Sequence, residues 1–143
     1  MREAQKIRIL IADDFKSLRD VIRLYLQRAR DMEVVGEAPE LDEAVARALA
    51  LQPDVIILND YLPPVDSALA AALFHEQGIP AAILAISMHV EPELIQRSLE
   101  HGVQGFLDKD EIDTCLVEAI QTIHRGEHYL SPKARAAYGN SHV

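Results

Sequence analysis

Apolar positions fall in blocks of two kinds along this chain, and the two kinds take turns. The first is a short, unbroken apolar run. Residues 6–12 (Lys6-Ile7-Arg8-Ile9-Leu10-Ile11-Ala12), 53–58 (Pro53-Asp54-Val55-Ile56-Ile57-Leu58) and 80–86 (Pro80-Ala81-Ala82-Ile83-Leu84-Ala85-Ile86) are of this kind. Such β-branched and leucine runs suit strands of a parallel sheet covered on both faces. Residues 32–38 are more polar, as an edge strand should be, and residues 104–107 form a short fifth strand. The second kind repeats at helical spacing. Leu18, Val21, Ile22, Tyr25 and Leu26 mark a helix over about 17–30. Leu41, Val45, Ala48 and Leu49 line the inner side of a helix over 41–51. Alanine-rich 68–74 continues to 76 behind Asp66 or Ser67 as cap, Pro92 opens a helix to 100, and Ile112, Leu116, Val117, Ile120 and Ile123 point inward from 111–125. Gly78, Gly102 and Gly126 stop the last three.

Five strands alternating with five helices through short loops, with right-handed crossovers, predict an α/β fold: a doubly wound five-stranded parallel sheet in the order 2-1-3-4-5. Residues 1–128 are expected to form this one domain. Residues 129–143 read as a polar tail or the start of a linker, with no output domain.

Composition narrows the function classes. The 143 residues carry 23 acids against 14 bases, a net charge of −9, which argues against nucleic-acid binding through a broad basic surface. Arg19, Arg23 and Arg28 alternate with Asp20 and Asp31 and read as a solvated helix face. The single Cys115 excludes an internal disulfide and reads as a core thiol. No apolar run approaches the roughly 18–20 residues that span a bilayer, and Met1-Arg2-Glu3-Ala4-Gln5 does not open a signal peptide. The expectation is a cytoplasmic protein with no membrane contact. His124 and His128 have helical metal-ligand spacing, but Gly126 between them breaks the helix it would need.

The chemistry gathers where the predicted strands end. Ligands in open α/β sheets bind past the carboxyl ends of the strands. There stand Asp13-Asp14, Asn59-Asp60, Ser87 and Lys109. A carboxylate pair suggests a hard-cation site with oxygen ligands, and a lysine and a hydroxyl across the crevice suit a phosphoryl oxygen. No strand end supplies a nucleophile with a general base beside it, so no catalytic residue and no enzyme are expected.

Ile9 through Asp14, Pro53 through Pro63, Ile86-Ser87-Met88-His89 and Gly102 through Lys109 together resemble the receiver domain of bacterial two-component response regulators, a flavodoxin-like fold, over about 6–125. Ser87-Met88-His89 and Gly126-Glu127-His128-Tyr129-Leu130-Ser131-Pro132 look most like the subgroup whose receiver precedes a DNA-binding domain of the LuxR or NarL type. The resemblance implies that Asp14 binds Mg²⁺ directly, Asp13 largely through water, and Tyr61 through its backbone carbonyl. It makes Ser87 the switch hydroxyl, Lys109 the phosphoryl-pairing cation and Phe106 the aromatic whose rotamer follows activation. A histidine kinase or other signalling protein would be the partner. A homodimer, through the first and last helices or through the fourth helix and fifth strand, is also implied.

One position departs from the family. Its phosphoacceptor aspartate stands six residues after the first proline and four before the second, and both counts from Pro53 and Pro63 land on Asn59. An amide is a poor nucleophile. Its oxygen can still reach a metal, but with one carboxylate fewer Mg²⁺ should bind only in the ~millimolar range or weaker. Asp60 is the fallback acceptor, although a one-residue offset turns its side chain to the opposite face of the strand, away from the site. Three accounts stay open: a natural atypical receiver, an engineered Asp-to-Asn change, and phosphorylation at Asp60. The functional alternatives are a signalling receiver, a constitutive interaction module without a switch, and a hydrolase on the same fold.

Overall fold

The computed structural model describes residues 5–141. Strands β1 (Ile7–Ala12), β2 (Met32–Ala38), β3 (Val55–Asn59), β6 (Ala82–Ser87), β7 (Gly105–Asp108) and β8 (Tyr129–Leu130) form one sheet in the order β2-β1-β3-β6-β7-β8, all neighbours parallel. The first five reproduce the expected order. A small antiparallel ladder, β4 (Tyr61–Leu62) with β5 (Val65–Asp66), turns through the cis Pro63-Pro64 bond beside the end of β3.

Side-chain alternation explains the unbroken apolar runs. Leu10, Ala12, Ile56, Leu58, Ile83, Ala85 and Phe106 point to one face, where α2 (Leu41–Leu51), α3 (Ser67–Glu76) and α4 (Pro92–Glu100) cover them. Ile9, Ile11, Val55, Ile57, Leu84, Ile86 and Leu107 point to the other, beneath α1 (Lys16–Gln27) and α5 (Ile112–His124). Both faces are therefore core, as a parallel sheet requires. Asp66 caps α3 by accepting the Leu69 N–H at 3.0 Å. Gly102 ends α4 at φ +95°, a left-handed backbone conformation that calls for glycine.

Three expectations need correction. Leu49, counted on the inner side of its helix, is 49% exposed, and Val21, which helped to mark the first helix, is 41% exposed; each lies at the margin of its apolar stripe. Arg19 and Arg23 are not a merely solvated face. They bond Glu37 of β2 at 3.1 and 2.6 Å, Arg23 also pairs with Asp20 at 2.7 Å, and Arg19 donates to the Asp13 carbonyl.

The segment from Tyr129 on is not a tail. β8 extends the sheet beyond β7, and α6 (Pro132–Ser141) packs on α4 and β7. Ser131 makes the junction: its hydroxyl accepts the Ala134 N–H at 3.3 Å and the buried Asp108 N–H at 3.1 Å. Ala134 is fully buried in the same cluster as Phe106 and Ile95.

Candidate functional site

The carboxyl ends of β1, β3, β6 and β7 open onto one cavity of about 800 Å³, lined among others by Asp14, Asn59, Asp60, Tyr61 and Lys109. Phe15, Tyr61 and Met88, all more than half exposed, stand on its walls. Sequence reading gave this apolar rim no role, because isolated hydrophobics at loop positions carry no periodic signal.

Asp13 is buried at the end of β1 and accepts the Phe15 N–H at 2.8 Å. Its carboxyl is pushed up to about 6. Burial is the largest cause and the charges of Asp14 and Asp60 add to it, against the opposing pull of the Phe15 N–H and Arg19. Asp14 is exposed. Asn59, the last residue of β3, directs its amide NH₂ toward Asp14 Oδ1 at 3.4 Å, and its amide oxygen accepts the Asp60 N–H at 2.9 Å.

Asp60 departs most from expectation. Its side chain does leave the face Asn59 occupies, but that does not take it out of the site. β3 pairs with β6 in parallel register, Asn59 opposite Ile86, so the next step sets Asp60 beside Ser87. Ser87 shares the parity of Ile83 and Ala85, the face opposite that of Asn59. The Ser87 hydroxyl lies 2.8 Å from Asp60 Oδ2. The sequence signal existed only in the relative register of two strands 27 residues apart, and a single chain does not display register.

Ser87 is completely buried; its oxygen also accepts the His89 N–H at 3.0 Å and lies 2.7 Å from the His89 carbonyl. Phe106 is completely buried two residues before Asp108 on β7. Lys109 is half-buried on the cavity wall and forms no ion pair with any described acid.

The donors at the strand ends are carboxylate, amide and carbonyl oxygens, the kind Mg²⁺ takes. Asp13, Asp14 and the Tyr61 carbonyl could hold it with water completing the shell. The set falls one carboxylate short, since among the described residues no three His, Cys, Asp or Glu side chains converge as a metal group. Asn59 also offers Asp14 its NH₂ and would have to turn its amide to serve as a ligand.

A doubly wound parallel sheet with acids, a hydroxyl and a lysine at its carboxyl edge places the chain in the flavodoxin-like class of receiver folds. The response regulator receiver domain model matches residues 9–121, and the chain belongs to that family. Within it the likeness is to the LuxR/NarL subgroup. The chain is 33% identical over 138 residues to the oxygen regulatory protein NreC of Staphylococcus carnosus, covering 96% of this chain and 64% of that relative's length. It matches the signal receiver domain of the response regulator NarL from Mycobacterium tuberculosis at 32% identity and TM-score 0.82, over 87% of this chain and 100% of that one. A LuxR-family two-component response regulator from Aurantimonas sp. SI85-9A1 superposes with TM-score 0.91 at 25% identity, over 96% and 99% of the two chains. Receiver domains generally bind Mg²⁺ at the phosphorylation site.

Proposed function

We propose that this chain is an atypical receiver that regulates a transcription output without forming an aspartyl phosphate at position 59. The observation that carries this is Asn59 at the end of β3, its amide set against Asp14 where the family's acceptor carboxylate would stand. A neutral amide neither attacks phosphorus nor contributes charge to a metal site. Asp13 and Asp14 bind Mg²⁺ weakly together with the Tyr61 carbonyl; Asn59 joins only after its amide turns. Ser87 and Phe106 form the switch, and Lys109 is the cation that would pair with an incoming phosphoryl group.

The chain acts as a binding module, not an enzyme, in the cytoplasm. Its partners are a histidine kinase or another signalling protein, and a second copy through α1 and α5, because α6 already lies on α4 and β7. A net charge of −9 leaves DNA contact to other parts of a regulator. The output assignment follows the relatives' names, of which this chain spans about three-fifths in length.

The test is intact-mass analysis after incubation with acetyl phosphate and Mg²⁺. Wild type should gain no phosphoryl adduct, and Asn59→Asp should gain one. An adduct on wild type mapped to Asp60 would overturn the reading.

A further inference from the structure

The site keeps its negative charge but moves it along by one residue. Where the family reading asks for an anion at 59, this chain has a neutral amide at 59 and a carboxylate at 60. That carboxylate is held in place through its own backbone. The Asp60 N–H is shared between the Ile86 carbonyl and the Asn59 amide oxygen, both at 2.9 Å, and the Asp60 carbonyl accepts the Ser67 N–H at 2.8 Å.

Ser87 has one hydroxyl proton and two acceptors within reach, Asp60 Oδ2 at 2.8 Å and the His89 carbonyl at 2.7 Å. Donation to His89 would leave a half-buried carboxylate oxygen facing hydroxyl lone pairs. Donation to Asp60 makes a charge-assisted bond and leaves the hydroxyl oxygen free to accept the His89 N–H. The Ser87 hydroxyl is therefore the donor and the Asp60 carboxylate its acceptor.

We propose that the Asp60 carboxylate is a built-in anion for the switch hydroxyl: it takes, from within the chain, the place that an incoming phosphoryl oxygen would take on Ser87. Asp60 is thus a positioning residue. It draws Ser87 to the end of β3, and Ser87 in turn fixes His89 by its backbone N–H, three residues before α4 begins. Phe106 lies buried on the same sheet face, packed with Ile95 of α4 and Ala134 of α6. The connection runs from Asp60 through Ser87 and 88–91 to α4 and the helix lying on it. The amide at 59 belongs to this design, because a carboxylate there would stand against the Asp60 charge. This inference rests on the receiver reading above and assigns the input that replaces phosphorylation.

The test uses the whole chain without metal or phosphodonor. Amide hydrogen exchange and ¹H–¹⁵N spectra are recorded for wild type, Asp60→Asn, Asp60→Ala, Ser87→Ala and the Asp60→Ala/Ser87→Ala double variant. Losing a charge-assisted bond should speed exchange at 87–95 about tenfold or more, with smaller effects in the isosteric Asp60→Asn. The double variant should resemble Ser87→Ala, which already removes the Asp60 bond together with the bond from the His89 N–H. Exchange in β2 and α2 reports whether the variants remain folded. Unchanged exchange at 87–95 in Asp60→Ala, or additive effects in the double variant, would overturn the proposal. An Asp60 phosphoryl adduct in the mass experiment would instead overturn the reading that this receiver works without phosphorylation, whereas the exchange experiment, run without phosphodonor, tests the Asp60–Ser87 bond alone, so the two failures are separable.

Discussion

Asp13 sits in a place that disfavours its own charge. Its carboxyl titrates at about 6, raised from 3.8 chiefly by burial. The sign of the consequence follows from linkage. Between 3.8 and about 6 the folded chain binds more proton at this residue than the unfolded chain does, so stability falls as pH rises through that window and stays lower above it. Asp13→Asn should therefore stabilise the metal-free protein by something on the order of 2 kcal/mol at pH 7.5. The gain should vanish below pH 4, where both states carry the proton. Thermal melts of wild type and variant across that range check both limbs. Mg²⁺ requires the ionised form, so its affinity for wild type should fall as pH drops through 6, which calorimetric titration reads directly.

The α3–α4 pair shows how far elements were legible before folding and where legibility stopped. Asp66 as a cap, Gly78 as a stop and Pro92 as a start are chemical signals local to the chain, and α3 and α4 have the bounds those signals imply. The cross-links between the two helices depend on their docking angle. Arg97 on α4 reaches the Asp66 cap, and the fully buried Ser67 and Ser98 hydroxyls meet at 3.1 Å. Asp66→Ala removes the cap and should cost about 1 kcal/mol, whereas Arg97→Ala should cost much less because the guanidinium is half exposed. Ser98→Ala leaves the Ser67 hydroxyl buried without its partner and should cost about 1–3 kcal/mol. Replacing both serines by alanine should recover part of that loss. Urea unfolding of the four variants gives the comparison. The Asp60–Ser87 contact was illegible for the same reason as Ser67–Ser98: it depends on register between distant segments. Helix α6 was legible in principle. Ser131-Pro132 is a cap followed by a first-turn proline, but the alanines that follow carry too weak an apolar stripe to reveal the docking.

For the whole molecule, α6 changes which surface is available. The α4–β7 face, one of two dimer faces the family resemblance implied, is covered by the chain's own helix, held by buried Ala134 and by Lys133 paired with Asp110 at 3.3 Å. Whatever moves α4 must then carry α6 with it or release it. Ala134 is fully buried, so Ala134→Glu forces a charged side chain into the cluster around Phe106, where overpacking alone costs about 1–3 kcal/mol. That is enough to detach a helix held at one end by the Ser131 junction, while the sheet stays intact. Hydrogen exchange should rise throughout α6 and along the α4 surface beneath it, and stay unchanged in α1 and α5 on the far side of the sheet. Lys133→Ala should not reproduce this, because its ion pair is exposed and weak. If exchange rose equally on both sides of the sheet, α6 would be part of the cooperative fold and not a separable cover on the α4–β7 face.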